Sequence, residues 1–139
     1  MPKGIFHAVV LTDDLDANLT FLTEVCGIGP VQPYVPTPAS LAAALGWPEA
    51  ECRTRGAIVG QPPGMIDLVA IPPALRATVS AGVRLLAIAT PDVEGRTAAA
   101  RQAGFEASDP RTVVDANGAA MTMAPLVVGG VGYEFVRFS

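Results

Sequence analysis

One order of elements is written twice in this chain, and a tandem copy restricts the fold more than any single motif does. The first copy opens Gly4-Ile5-Phe6-His7-Ala8-Val9-Val10-Leu11, passes through Thr12-Asp13-Asp14-Leu15, and runs an amphipathic stretch to Gly27. The second opens Val83-Arg84-Leu85-Leu86-Ala87-Ile88-Ala89, passes through Thr90-Pro91-Asp92-Val93, and runs an amphipathic stretch to Gly104. Each copy closes on an apolar run holding one carboxylate: Met65-Ile66-Asp67-Leu68-Val69 and Gly132-Tyr133-Glu134-Phe135-Val136. Such repetition implies a fused pair of similar units. Two units of this kind, set face to face, build a cleft between them.

Each copy reads as β-α-β-β-β. Residues 4–11 are apolar and branched, which predicts a buried strand. Thr12 and Asp13 are good N-caps for a helix carrying Leu15, Leu19, Leu22 and Val25 on one stripe, with Gly27 as a left-handed C-cap. Residues 29–36 predict an edge strand, because Pro33 cannot donate to a ladder. Residues 38–45 predict a short inserted helix that ends before Gly46. Residues 50–60 and 65–71 predict a hairpin around Pro62-Pro63-Gly64, and 72–82 a linker. In the second copy Thr90 is the expected N-cap and Pro91 the first helical residue. Ala99, Ala100 and Ala103 are expected beside Val93 on that helix's packing side. Strands follow near 105–114, 119–127 and 131–138, joined by turns at Asp115-Ala116-Asn117-Gly118 and Gly129-Gly130. The expected fold class is α+β: two tandem βαβββ modules, about 1–72 and 82–139, forming one domain over 1–139 with a cleft between curved mixed sheets.

Composition narrows the function. With 50% apolar and 16% charged residues the chain is globular, and its 139 residues suffice for one core. No apolar run approaches the ~20 residues of a membrane span, and the start does not read as a signal peptide, so the expected location is the cytoplasm. The net charge is −4 and the nine Lys and Arg are scattered, which argues against nucleic-acid binding. A small apolar ligand or an apolar dimer interface fits better. Cys26 and Cys52 lack metal-ligand spacing and read as buried small hydrophobes.

The run Phe6-His7-Ala8-Val9 before Asp13-Asp14-Leu15, its helix to Gly27, and the closing Ile66-Asp67-Leu68-Val69 and Tyr133-Glu134-Phe135-Val136 carry a resemblance. The chain resembles the vicinal oxygen chelate superfamily, which includes glyoxalase I, methylmalonyl-CoA epimerase, extradiol dioxygenases and the bleomycin- and fosfomycin-resistance proteins. In metal-dependent members a divalent ion is held by the first and last strand of each copy. The resemblance places His7 at the first ligand, Asp67 at the first copy's carboxylate and Glu134 at the last ligand. It places Leu85 at the second histidine, and leucine binds no metal. The implied cofactor is thus a divalent metal on an incomplete set of His7, Asp67 and Glu134, or none. The resemblance also implies a homodimer.

Three residues stand out as candidate catalytic groups. Glu134 lies among aromatics on an interior strand, where desolvation would raise its pKa and suit it to general-base work. Asp67 is the same case nearer a hairpin, and His7 reads as a proton shuttle with a pKa near neutral, or as an ordinary core histidine. For substrate binding, Arg53 and Arg55 alternate on an expected strand and can anchor a carboxylate or phosphate, or simply form a solvated face. Tyr34, Trp47, Phe105 and Met123 are candidates for an apolar pocket. Together these point to a small-molecule lyase or isomerase/epimerase of glyoxalase-like type, acting by proton abstraction next to a carbonyl. The competing class is a non-catalytic protein that sequesters an apolar drug or metabolite.

Overall fold

The computed structural model describes residues 4–138. The branched opening of the first copy forms β1 (His7–Thr12), and its counterpart in the second copy forms β5 (Gly82–Ala89). These two strands pair antiparallel at the centre of the molecule. On one side lie β4 (Met65–Ala70), β3 (Gly56–Val59) and β2 (Val31–Tyr34); on the other lie β8 (Val131–Phe138), β7 (Ala120–Val128) and β6 (Arg111–Val114). All eight strands form one mixed, unclosed sheet in the order β2-β3-β4-β1-β5-β8-β7-β6. The order reads the same from both ends of the repeat, as a two-fold relation between copies requires. β1 and β4 pair in parallel, as do β5 and β8, and every other pair is antiparallel. The two copies therefore contribute to one sheet and not to separate ones.

Period-2 alternation sorts the side chains between two faces. The outer face of the first copy buries Ala57, Val59 and Leu68 under Leu15 of helix α1 (Leu15–Thr20), with Leu19 and Leu22 packed alongside. The inner face gathers Val9, Leu11, Val69, Leu85, Ala87 and Val136. Helix α2 (Pro38–Leu45), the insertion of the first copy, lies over that inner face and sends Leu41 and Leu45 into the same cluster. Almost every residue of α2 is apolar, which suits a helix with little access to water. The Thr37 side chain caps it by accepting from the Ser40 N–H, and the Thr37 hydroxyl donates to the Val114 carbonyl at 2.8 Å, tying the insertion to β6 of the second copy.

Several local expectations are corrected. The helix caps are Asp14 and Asp92, each accepting from the N–H three residues on, while Thr12 and Thr90 instead accept from the Asp14 and Asp92 N–H groups. A carboxylate at N-cap also answers the positive end of the helix, which the hydroxyl cannot. The first helix widens into a π turn over Phe21–Val25 before the left-handed Gly27. Helix α3 (Val93–Gln102) buries Val93 and Thr97, and Ala99 and Ala103 face solvent. Residues 49–51 form a single 3-10 turn and β3 begins only at Gly56. Residues 105–110 touch the sheet through the Ala107–Leu126 bridge alone. Cys52 is buried and free as expected, whereas Cys26 is exposed. No helix among the described residues is long and apolar enough to cross a membrane.

Candidate active site

The inner face of the sheet and α2 enclose a cleft of about 570 Å³. Strand register fixes its polar floor. His7 on β1 stands opposite Ala87 on β5, and Ala87 stands opposite Glu134 on β8. Asp67 on β4 stands opposite Val9, one pleat along from His7. The side chain between His7 and Glu134 is thus a single methyl, fully buried, and both polar groups have room to lean over it. Val9, Val69, Met121, Met123 and Val136 supply apolar wall.

Burial sets the chemistry of these groups. Glu134 is 4% exposed, and its Oε2 has no hydrogen-bond partner among the described residues. Desolvation first, and the nearby Asp67 charge second, push its carboxyl up to about 7. Asp67 is half-buried on the cleft wall, and desolvation raises it to about 7 as well. The Tyr34 hydroxyl donates to Asp67 Oδ1 at 2.5 Å and pulls the other way, favouring the ionised form. Tyr34 itself is held well above the usual phenol range by burial and by the same carboxylate. His7 departs from the expectation of a pKa near neutral. It is 8% exposed, burial lowers it to about 4, and its Nδ1 lacks a partner among the described residues. At physiological pH it is a neutral imidazole, with the Phe6 ring edge-on at 5.4 Å.

The placement of Tyr34 depends on a glycine. Tyr34 pairs with Gly56 across β2 and β3. A Cβ at Gly56 would stand 2.9 Å from the Tyr34 ring and 2.7 Å from the Leu68 carbonyl. The missing side chain is the slot in which the ring lies, so that its hydroxyl reaches β4.

Of the residues singled out in the sequence, His7, Tyr34, Asp67, Met123 and Glu134 line this one cleft. Trp47 does not: it is a core residue packed with Leu41 and Leu45. Arg53 and Arg55 do not either. They precede β3 instead of alternating along it, both are exposed, and Arg55 pairs with Asp16 at 3.0 Å on the outer surface. Phe105 is 45% exposed and lies outside the cleft. The sequence reading missed Tyr34 as the partner of Asp67, the spacer Ala87, the slot at Gly56, and the α2 contribution of Ser40, Leu41 and Ala44. The alternation that puts Ala87 on the face of Leu85 was a usable signal; the Tyr34–Asp67 contact spans 33 residues and left none.

A divalent ion does not fit this donor set. Among the described residues no three His, Cys, Asp or Glu side chains form a group able to hold a metal, so the incomplete set of His7, Asp67 and Glu134 does not assemble as one. The fourth corner is Leu85, buried with Leu41 and Leu45 in the cluster under α2. One oxygen of Asp67 is already engaged by Tyr34.

The family model of the Glyoxalase/Bleomycin resistance protein/Dioxygenase superfamily matches residues 4–125. The chain belongs to this superfamily. Solved structures of the superfamily fold lie close by. A hypothetical protein from Bacillus halodurans C-125 is similar at a TM-score of 0.70 and 17% identity, covering 96% of this chain and 93% of that one. Methylmalonyl-CoA epimerase from Mycobacterium tuberculosis is similar at 0.68 and 17% identity, covering 99% and 89%. A Streptomyces coelicolor methylmalonyl-CoA epimerase in complex with 2-nitronate-propionyl-CoA is similar at 0.65 and 19% identity, covering 99% and 98%. At these identities the likeness is one of fold. Among curated proteins none matches.

Proposed function

We propose that this superfamily member is a small-molecule isomerase or lyase, in its simplest form an epimerase, that moves a proton on a carbon next to a carbonyl. The observation that carries the reading is the carboxyl pair, Asp67 and Glu134, both raised to about 7 on the wall of one largely apolar cleft. Groups poised near the working pH are the ones that give and take protons most effectively.

The surroundings divide the roles. Asp67 keeps contact with the open cleft and accepts from Tyr34, so it ionises first. Glu134 is the more deeply buried of the two at the cleft wall and its Oε2 meets no donor among the described residues, so the shared proton stays on it. The sequence favoured Glu134 as the base; the local differences favour the reverse. Asp67 takes the proton from the carbon, and the C–H electron pair moves onto the carbonyl oxygen. The Glu134 hydroxyl and neutral His7 are the donors available to that oxygen. Return of a proton from Glu134 to the same carbon gives epimerisation, and to a neighbouring atom gives isomerisation. Proton exchange between the two carboxyls then restores the starting state. The epimerases among the structural neighbours agree with this chemistry in class.

Leu85 and the apolar walls favour a second reading, sequestration without turnover. Hydrogen exchange separates the two. The purified protein is incubated in D2O with a panel of carbonyl compounds bearing one hydrogen on the adjacent carbon, and deuterium uptake is followed by mass spectrometry. Catalysed uptake should fall by roughly 10²–10⁴-fold in Asp67→Asn and in Glu134→Gln. Uptake that survives both substitutions would refute the roles given to the two carboxyls, and ligands that bind and never exchange would leave sequestration as the function.

A further inference from the structure

The substrate class follows from what faces the cleft, on the reading of the site given above. Its charged and titratable lining comes from five elements: His7 on β1, Tyr34 on β2, Asp67 on β4, Glu134 on β8 and Asp115 on the β6–β7 turn. Asp115 is held in its turn, since its Oδ1 accepts from the Asn117 and Ala119 N–H groups, and it adds a further negative charge at the rim. Among the described residues that line the cleft there is no lysine or arginine. The cations lie elsewhere. Arg53 and Arg55 sit on the exterior, and Arg84 and Arg111 border a separate cavity of about 620 Å³. Helix α2 stands between the two cavities: Ser40 and Leu41 line the first, Ala42 and Ala43 the second.

Two buried polar atoms in the first cleft, His7 Nδ1 and Glu134 Oε2, have no partner among the described residues. Both belong to side chains more than nine-tenths buried, and both residues line the cleft. Buried polar atoms of this kind are as a rule satisfied by something, and both side chains border the cleft in which a ligand would lie. We infer that the cleft takes an uncharged carbonyl compound, whose oxygen meets these two atoms while its apolar body lies against Val9, Met121, Met123 and Val136. Among the described lining residues an anion would find no cation to pair with, and it would face Asp67. One ionised carboxyl about 6 Å away, at an effective dielectric of about 20, weakens anion binding roughly a hundredfold. A cation would hold both carboxyls ionised and remove the proton that Glu134 supplies.

Three probes of one shape test this: 2-naphthamide, 2-naphthoate and 2-naphthylmethylammonium. The protein carries 13C-methyl methionine, and titrations are followed at about pH 7, where Glu134 keeps its proton, through the methyls of Met65, Met121 and Met123, which line the cleft. The amide should shift these methyls and bind at least tenfold more tightly than the carboxylate. Asp67→Asn should narrow that ratio several-fold, because it removes the repelling charge and keeps the shape. Carboxylate binding equal to the amide, ammonium binding tighter than the amide, an unchanged ratio in Asp67→Asn, or no methyl shift with any probe would each overturn the inference. Failure of the catalytic reading looks different. An amide that binds here with no deuterium uptake by any carbonyl compound sinks catalysis and leaves the charge preference standing. Asp67-dependent turnover of a carboxylate substrate does the reverse.

Discussion

Replacing Glu134 by glutamine should make the protein more stable at alkaline pH and leave it little changed in acid. The carboxyl stands at about 7 in the fold against an ordinary 4.5, because burial disfavours the charged form. A carboxyl raised in this way binds more protons in the folded than in the unfolded chain between those two values. Its favourable contribution is complete below about pH 4.5 and is lost as pH rises through 7. At 1.36 kcal/mol per unit, ionising Glu134 costs the fold about 3 kcal/mol above pH 8. Part of that raise comes from the Asp67 charge, so about 2–3 kcal/mol is the sounder figure. Glutamine keeps the shape and never ionises. Any fixed cost of burying its amide is the same at both ends of the pH range and cancels. The assay is urea unfolding of both proteins at pH 5 and pH 9. The stability difference between variant and parent should grow in the variant's favour by about 2–3 kcal/mol from the lower to the higher pH. A difference that stays flat, or moves toward the parent, would mean that Glu134 is solvated or paired and that the argument from burial is wrong.

Tyr34→Phe removes the donor that holds Asp67 ionised, so the acid limb of the pH–rate profile should move up by about one unit, and a limb that stays or moves down would deny Tyr34 its positioning role. Gly56→Ala puts a methyl into the Tyr34 slot; it should destabilise by about 1–3 kcal/mol in urea unfolding and reproduce the same upward shift, whereas an unshifted limb would show that the ring has another way to reach Asp67. Leu85→His restores the side chain that the resemblance expects but buries it under α2, so it should destabilise by about 2–4 kcal/mol and gain no stoichiometric transition metal on elemental analysis; tight metal uptake by the variant or the parent would refute the account of the donor set. Sedimentation equilibrium at micromolar concentration should give a dimer, since Phe21, Val25 and Ile28 leave apolar surface near the end of the first helix, and a monomer alone would remove that expectation.

The repeat made the architecture readable. Each copy spells strand, helix and three strands in an order that permits few pairings, and the positions of Asp67 and Glu134 on the closing strands follow from it. Composition, with Pro38 in the first turn and Ala and Leu after it, also pointed to α2 and to its end before Gly46, which the structure shows to be left-handed. What it could not give was which of two neighbouring cap residues wins. Thr12 and Asp14 both offer an oxygen, and only the path of the chain decides that Asp14 meets the Ala17 N–H. The Arg53–Arg55 alternation looked like a strand because period 2 needs only two residues to appear. The ladder starts one residue later, and the guanidinium of Arg55 turns to Asp16.

The site was legible to the extent that its residues sit on strands, and α2 explains where that stopped. His7, Asp67 and Glu134 are fixed by register, while the partner of each depends on what lies over the sheet. In the first copy β2 comes in with Tyr34, and Asp67 gains a donor. Over the second copy the inserted helix lies across the inner face, with Leu41 and Leu45 in one cluster with Leu85. A histidine at that position would be buried in hydrocarbon, so leucine there is a packing consequence of the insertion as much as a missing ligand. The same helix separates the carboxyl-bearing cleft from the arginine-bearing cavity beside it. One insertion of eight residues therefore both packs against the leucine at that position and stands between a cleft lined by two buried carboxyls and a cavity bordered by arginines.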